Sequence, residues 1–154
     1  MQKRYILPVL VYLVLPDALE AKPTYDSAAP IAYMVDLSSG AVLVDKQSKK
    51  RIPPASMAKM LSTYVIFDMV KSGELSLDRK LTLKKESWEK WRGVGSTMFL
   101  QPNEPTEVRA LLQGMITLSG NDAAIALAEG LAGSEQAFVK LMNAKALTLG
   151  MKDS

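Results

Sequence analysis

Residues 53–60 read Pro53-Pro54-Ala55-Ser56-Met57-Ala58-Lys59-Met60, and the reading of this stretch decides the rest. The paired prolines stop whatever precedes them. Behind them Met57, Met60, Leu61, Tyr64, Val65 and Met69 recur at spacings of three and four, which predicts a long buried helix. Lys71-Ser72-Gly73 supplies a basic last turn and a glycine stop. Ser56 and Lys59 therefore stand one turn apart at the helix entrance, on one face, with Cβ atoms roughly 5–6 Å apart. Two readings compete. Either Ser56 is a helix cap followed by a solvated lysine, or it is a nucleophile with Lys59 as its base.

Composition narrows the chemistry. The 154 residues are 48% hydrophobic and 23% charged, enough for one core and the size of one domain. The net charge of +3 is mild and its lysines and arginines are scattered, so nucleic-acid binding is not expected. With no cysteine there is no disulfide, thiol nucleophile or thiolate metal site. With no histidine, the commonest general base and metal ligand is missing too, and neither a metal nor another cofactor is expected. Proton transfer falls to Lys, Asp, Glu, Tyr or a polarised hydroxyl.

The N-terminus pairs Lys3 and Arg4 with an apolar run at residues 5–15 that Pro16 breaks. That run is too short to suit a bilayer span and reads as a secretory signal over residues 1–21, placing the mature protein outside the cytoplasm. Residues 22–30 read as a linker, and residues 31–154 as one domain, which the resemblance given below makes an incomplete catalytic one. Within it, residues 31–36 and 41–45 predict a hairpin around Leu37-Ser38-Ser39-Gly40. Helical patterns follow, one opened by Pro105, one at residues 123–131 after the Ser119-Gly120-Asn121-Asp122 break. The last is capped by Ser134, with Phe138, Leu141, Met142 and Leu149 as its apolar face. Residues 93–96 read as a flexible loop. A hairpin followed by a helical block is an α+β arrangement.

Ser-x-x-Lys has a physical logic. A lysine amine takes the serine proton if it is neutral at the moment of attack, which requires burial or neighbouring cations to lower its pKa. Backbone N–H groups at a helix entrance favour a developing oxyanion. The motif alone is weak, because Ser87-Trp88-Glu89-Lys90 repeats its spacing on a short segment crowded with charges. The second element is Ser119-Gly120-Asn121, which offers a hydroxyl and a carboxamide from one turn between two apolar helices, either as helix caps or as groups that bind a peptide amide and relay a proton.

Together the two motifs resemble the penicillin-binding, active-site serine family, whose signature is S-x-x-K, S-x-N and K-T-G. The hairpin with Asp36, the residues 53–60, Gly95-Ser96-Thr97-Met98-Phe99-Leu100 and the run from Leu118 to the C-terminus look like the low-molecular-weight D-alanyl-D-alanine carboxypeptidases. The resemblance covers residues 29–154 and implies a β-lactamase/transpeptidase-like fold. It implies Ser56 as the nucleophile toward peptidoglycan stem peptides ending in D-Ala-D-Ala, Lys59 as its base, Ser119 as proton relay and Asn121 as the group orienting substrate and Lys59. β-Lactam antibiotics are the expected ligands of the same serine.

The third motif is missing. Lys71-Ser72-Gly73 comes close in spelling, but it ends the helix that Ser56 begins, about 20 Å away at 1.5 Å per residue. The expectation is an N-terminal portion of such an enzyme, lacking later sheet strands and hydrolysing D-Ala-D-Ala poorly, with membrane association only through a segment not in this chain. A serine β-lactamase is the alternative, although Glu104 and Glu107 offer no convincing deacylating carboxylate. A non-catalytic envelope protein that binds peptidoglycan is the other.

Overall fold

The computed structural model describes residues 27–152; the expected signal segment, and residues 22–26 of the expected linker, lie outside the described residues. The chain divides into two units at the step from Ile52 to Pro53.

The first unit holds an antiparallel hairpin of β1 (Ala32–Val35) and β2 (Val42–Lys46), close to the expected bounds. Its turn is organised by one carboxylate. Asp36 Oδ1 accepts from the Ser38 N–H at 2.8 Å and from the Ser38 hydroxyl at 2.7 Å, and Oδ2 accepts from the Ser39 hydroxyl at 2.7 Å. These hydrogen bonds, Ser38's first, hold the Asp36 carboxyl down at about 2. A bulge between Met34 and Val35 interrupts the pairing. Tyr33, Met34, Val42 and Leu43 are all exposed.

The second unit begins with a 3-10 turn, Ala55–Met57, that runs into α1 (Ala58–Lys71). After it come β3 (Lys80–Leu81), α2 (Lys85–Trp91) and β4 (Thr106–Glu107). Three helices complete it: α3 (Val108–Thr117), α4 (Asn121–Ala132) and α5 (Glu135–Thr148). Helix α4 is the centre, packed by α2, α3, α5 and β3. Its buried residues include Ala123, Ile125, Ala126, Leu127 and Ala128. The small alanines let neighbouring helices approach, while Leu127, wholly buried, contributes about 2–3 kcal/mol of transfer free energy. Val65 and Ile66 of α1, Leu111, Leu112 and Met115 of α3, and Phe138 of α5 close the core around it.

Three expectations need correction. Helix α1 forms where its periodicity says, but only Val65 and Ile66 are buried, backed by Met69 and Val70 one turn on; Met60, Tyr64 and Phe67 are exposed. Period-3.6 spacing fixes that a face exists, and the broad apolar band left two candidate faces open. Pro105 does not open a helix. Thr106 and Glu107 instead pair antiparallel with Leu81 and Lys80, and the Val108 and Arg109 N–H groups extend the contact to the Arg79 and Leu77 carbonyls. A long-range ladder overrides the local helix signal there. On α5, Ser134 caps as expected, accepting from the Ala137 N–H at 3.1 Å, but of the proposed apolar face Leu141 and Leu149 are exposed.

The two tempting motif copies resolve as structural. Ser72 and Gly73 terminate α1, with Gly73 at φ +80, where a side chain would be strained. Ser87 lies on α2 and donates to Glu129 Oε1 at 2.6 Å, fastening α2 to α4, while Lys90 sits over the Trp91 ring at 5.1 Å.

Candidate active site

Ser56 occupies the 3-10 turn ahead of α1 and does not cap it. The N-cap position belongs to Met57, and no side chain makes a capping bond there. Ser56 is exposed at this corner, which is shaped by strain: Pro54 has φ −69, but Ala55 is held at φ +48. A left-handed residue bearing a Cβ costs roughly 1–2 kcal/mol. Such strain persists only where surrounding contacts over-determine it. Here the Met57 N–H closes the turn on the Pro54 carbonyl at 3.0 Å.

Ser119 reaches the same place from the other side of the core. It follows the C-terminus of α3, where the Gly114 carbonyl accepts from both the Leu118 N–H at 3.2 Å and the Gly120 N–H at 3.1 Å. The chain reverses through Ser119 itself, at φ +57, and enters α4. The Ser119 hydroxyl then donates to Ser56 Oγ at 3.1 Å. Neither Ser119 nor Asn121 caps α4, whose N-cap is Gly120 without a side-chain bond. For both motifs, the capping reading left open by the sequence is excluded.

Lys59 stands on the first turn of α1, half-buried, and its Nζ donates to Asn121 Oδ1 at 2.8 Å. Burial pushes the Lys59 amine below its ordinary 10.5, toward the neutral form a base requires. Its acceptor is a neutral amide, which holds the amine without forcing it to remain charged. The Asn121 amide is itself fixed at its other end, with Nδ2 donating to the Val94 carbonyl at 2.8 Å. Its backbone N–H donates to the Ser96 carbonyl at 2.8 Å. Since Val94 can only accept there, the amide orientation is determined. All four expected site residues thus fall into two linked pairs, Ser56 with Ser119 and Lys59 with Asn121.

Two features escaped the sequence reading. Residues 93–96, expected as a flexible loop, are pinned by Asn121, and Gly95 lies close against its amide. It takes φ +65, and a Cβ there would stand 2.8 Å from Asn121 Nδ2. The other is Asp122, 4% exposed, which accepts from the Thr97 hydroxyl and from the N–H groups of Met98, Leu100 and Ala123. An acid in a first helical turn ordinarily complements the helix dipole in water. The signal that it turns inward was available only in its apolar company, Ala123 to Leu127. Among the described residues no group of three or more metal-ligating side chains converges.

The sequence and the fold both have relatives. The D-alanyl-D-alanine carboxypeptidase family matches residues 17–154. The chain is 34% identical over 150 residues to D-alanyl-D-alanine carboxypeptidase DacC of Escherichia coli, covering 94% of this chain and 38% of that one. Among solved structures, it is similar to the D-alanyl-D-alanine carboxypeptidase DacD of Francisella tularensis, at TM-score 0.75 and 30% identity over 100% of this chain and 33% of that one. Penicillin binding protein 5 of Haemophilus influenzae gives TM-score 0.69 and 35% identity over 75% of this chain and 33% of that one. The chain therefore spans less than two fifths of the length of each of these relatives. The fold is of the penicillin-binding, transpeptidase type, and the chain belongs to the D-alanyl-D-alanine carboxypeptidase family.

Proposed function

We propose that this chain carries the acylating half of a serine D-alanyl-D-alanine carboxypeptidase. The observation that carries the reading is the double linkage of its two motifs: Ser119 to Ser56 at 3.1 Å, and Lys59 to Asn121 at 2.8 Å. Ser56 Oγ attacks the carbonyl carbon between the two terminal D-alanines of a stem peptide, and its proton passes to the neutral Lys59 amine. The tetrahedral intermediate collapses as the terminal D-alanine leaves through its amine, protonated by way of Ser119. Asn121 holds the substrate amide and keeps Lys59 directed at the serine. Water then hydrolyses the ester on Ser56 and releases the shortened peptide.

The penicillin-binding name of one structural relative supports β-lactams as acylating ligands of the same serine. The place of this chain is the bacterial cell envelope, with residues 1–21 as signal, 22–30 as linker and 31–154 as catalytic domain. No helix among the described residues is long and apolar enough to cross a membrane.

Incubation with a fluorescent penicillin tests the reading. Stable labelling that disappears in Ser56→Ala is the expected result. Rapid release of hydrolysed drug identifies a β-lactamase instead, and an unlabelled parent overturns the acylating role.

A further inference from the structure

We propose that Asp122 is a positioning residue of this site: by clamping residues 97–100 onto the first turn of α4, it holds the loop that aims Asn121 at Lys59. The inference rests on the proposed roles of Ser56 and Lys59, and part of its test stands without them.

Asp122 is the buried charged side chain of the described core. A buried carboxylate is costly unless its acceptor sites are filled. Here Oδ1 accepts from the Met98 N–H at 3.0 Å and the Ala123 N–H at 2.9 Å. Oδ2 accepts from the Thr97 hydroxyl and from the Leu100 N–H at 3.0 Å. Burial alone pushes the carboxyl up, but these four bonds together bring it below its ordinary range, so the carboxylate stays ionised.

What the carboxylate grips is specific. Three of its four donors come from residues 97, 98 and 100, which directly continue the loop whose Val94 and Ser96 carbonyls hold Asn121. Consecutive helix residues, 121 and 122, thus bind consecutive stretches of one loop. Gly93 at φ +72 and Gly95 at φ +65 give that loop little stiffness of its own. Asn121 therefore borrows two of its three hydrogen bonds from a segment that Asp122 keeps in register. An apolar side chain would fill the same space in the core, but it would leave three loop donors unpaired and the register unset.

The test compares Asp122→Asn, Thr97→Val and Thr97→Ser in the whole chain. Three quantities are read well below each thermal midpoint: hydrogen exchange of the Asn121 backbone N–H, the Asn121 side-chain amide resonances, and the fluorescent-penicillin acylation rate against pH. Asp122→Asn and Thr97→Val should lose Asn121 protection and shift its amide resonances. Acylation per folded molecule should fall about 10–100-fold, with an altered pH profile. Thr97→Ser should restore all three. If Asp122→Asn does not fold, Thr97→Val decides alone. A lowered thermal midpoint with Asn121 still protected, or with the parent's acylation rate and profile, overturns the inference and leaves Asp122 a stability element. If the parent is not labelled at all, the proposed function fails, and the exchange and resonance data still decide the clamp.

Discussion

Lys59 Nζ and Asn121 Oδ1 meet at 2.8 Å although 62 residues separate them in the chain. The contact joins the first turn of α1 to the first turn of α4.

Because burial lowers the Lys59 pKa, the neutral amine gains population earlier than in a solvated lysine as pH rises. Acylation of Ser56 by penicillin should therefore increase with pH, with the midpoint of the rise below 10.5, the ordinary lysine value. In Asn121→Asp the added carboxylate favours the ammonium, which moves that rise to higher pH by roughly one unit or more. Stopped-flow labelling across pH measures both profiles; coincident curves would refute the role of the contact.

Ser119→Ala removes the donor to Ser56 but no helix cap and no core contact. The thermal midpoint should correspond to a stability change within about 1 kcal/mol. Acylation should slow by about 100-fold or more, the scale of a lost proton-transfer partner. Equal rates for variant and parent would remove Ser119 from the reaction.

Ala55→Gly separates strain from catalysis. Removing the Cβ from a residue at φ +48 relieves roughly 1–2 kcal/mol, against about 0.5–1 kcal/mol of added chain entropy. Denaturant unfolding should show the variant equal to or up to about 1.5 kcal/mol above the parent, while the loosened Ser56 acylates more slowly. A variant that is both less stable and equally fast contradicts this.

The hairpin turn makes a separate prediction about acid. Asp36 has a folded pKa of about 2, below its ordinary 3.8, so its carboxylate supports the turn fully above pH 4 or so. That support is lost as pH falls through about 2. Carboxyl NMR titration reads it directly, and Ser38→Ala with Ser39→Ala should return the midpoint toward 3.8.

Most of the frame was legible because it is written locally. The hairpin, α1 and the Ser134 cap each follow from a few adjacent residues of definite turn or helix chemistry. Two short motifs also named the four residues that the fold brings together in pairs, Ser56 with Ser119 and Lys59 with Asn121. What escaped was non-local. The pairing of Lys80–Leu81 with Thr106–Glu107 has no signature in either dipeptide, and the choice of buried face on α1 depends on helices that arrive later in the chain. Asp122 was assigned no role beyond the break before α4, because the loop donors it meets lie 22 to 25 residues away.

The loop over Asn121 is recognised entirely through main-chain atoms, the carbonyls of Val94 and Ser96. Both residues are exposed, Val94 to 47%. Substitution at 94 and 96 can thus alter the exposed surface of this loop while keeping those main-chain contacts, whereas a side chain at position 95 would be strained at φ +65 and would crowd Asn121 Nδ2. A library diversified at the two outer positions, with the middle one left untouched, would sample new surface chemistry while Asn121 keeps its main-chain anchors.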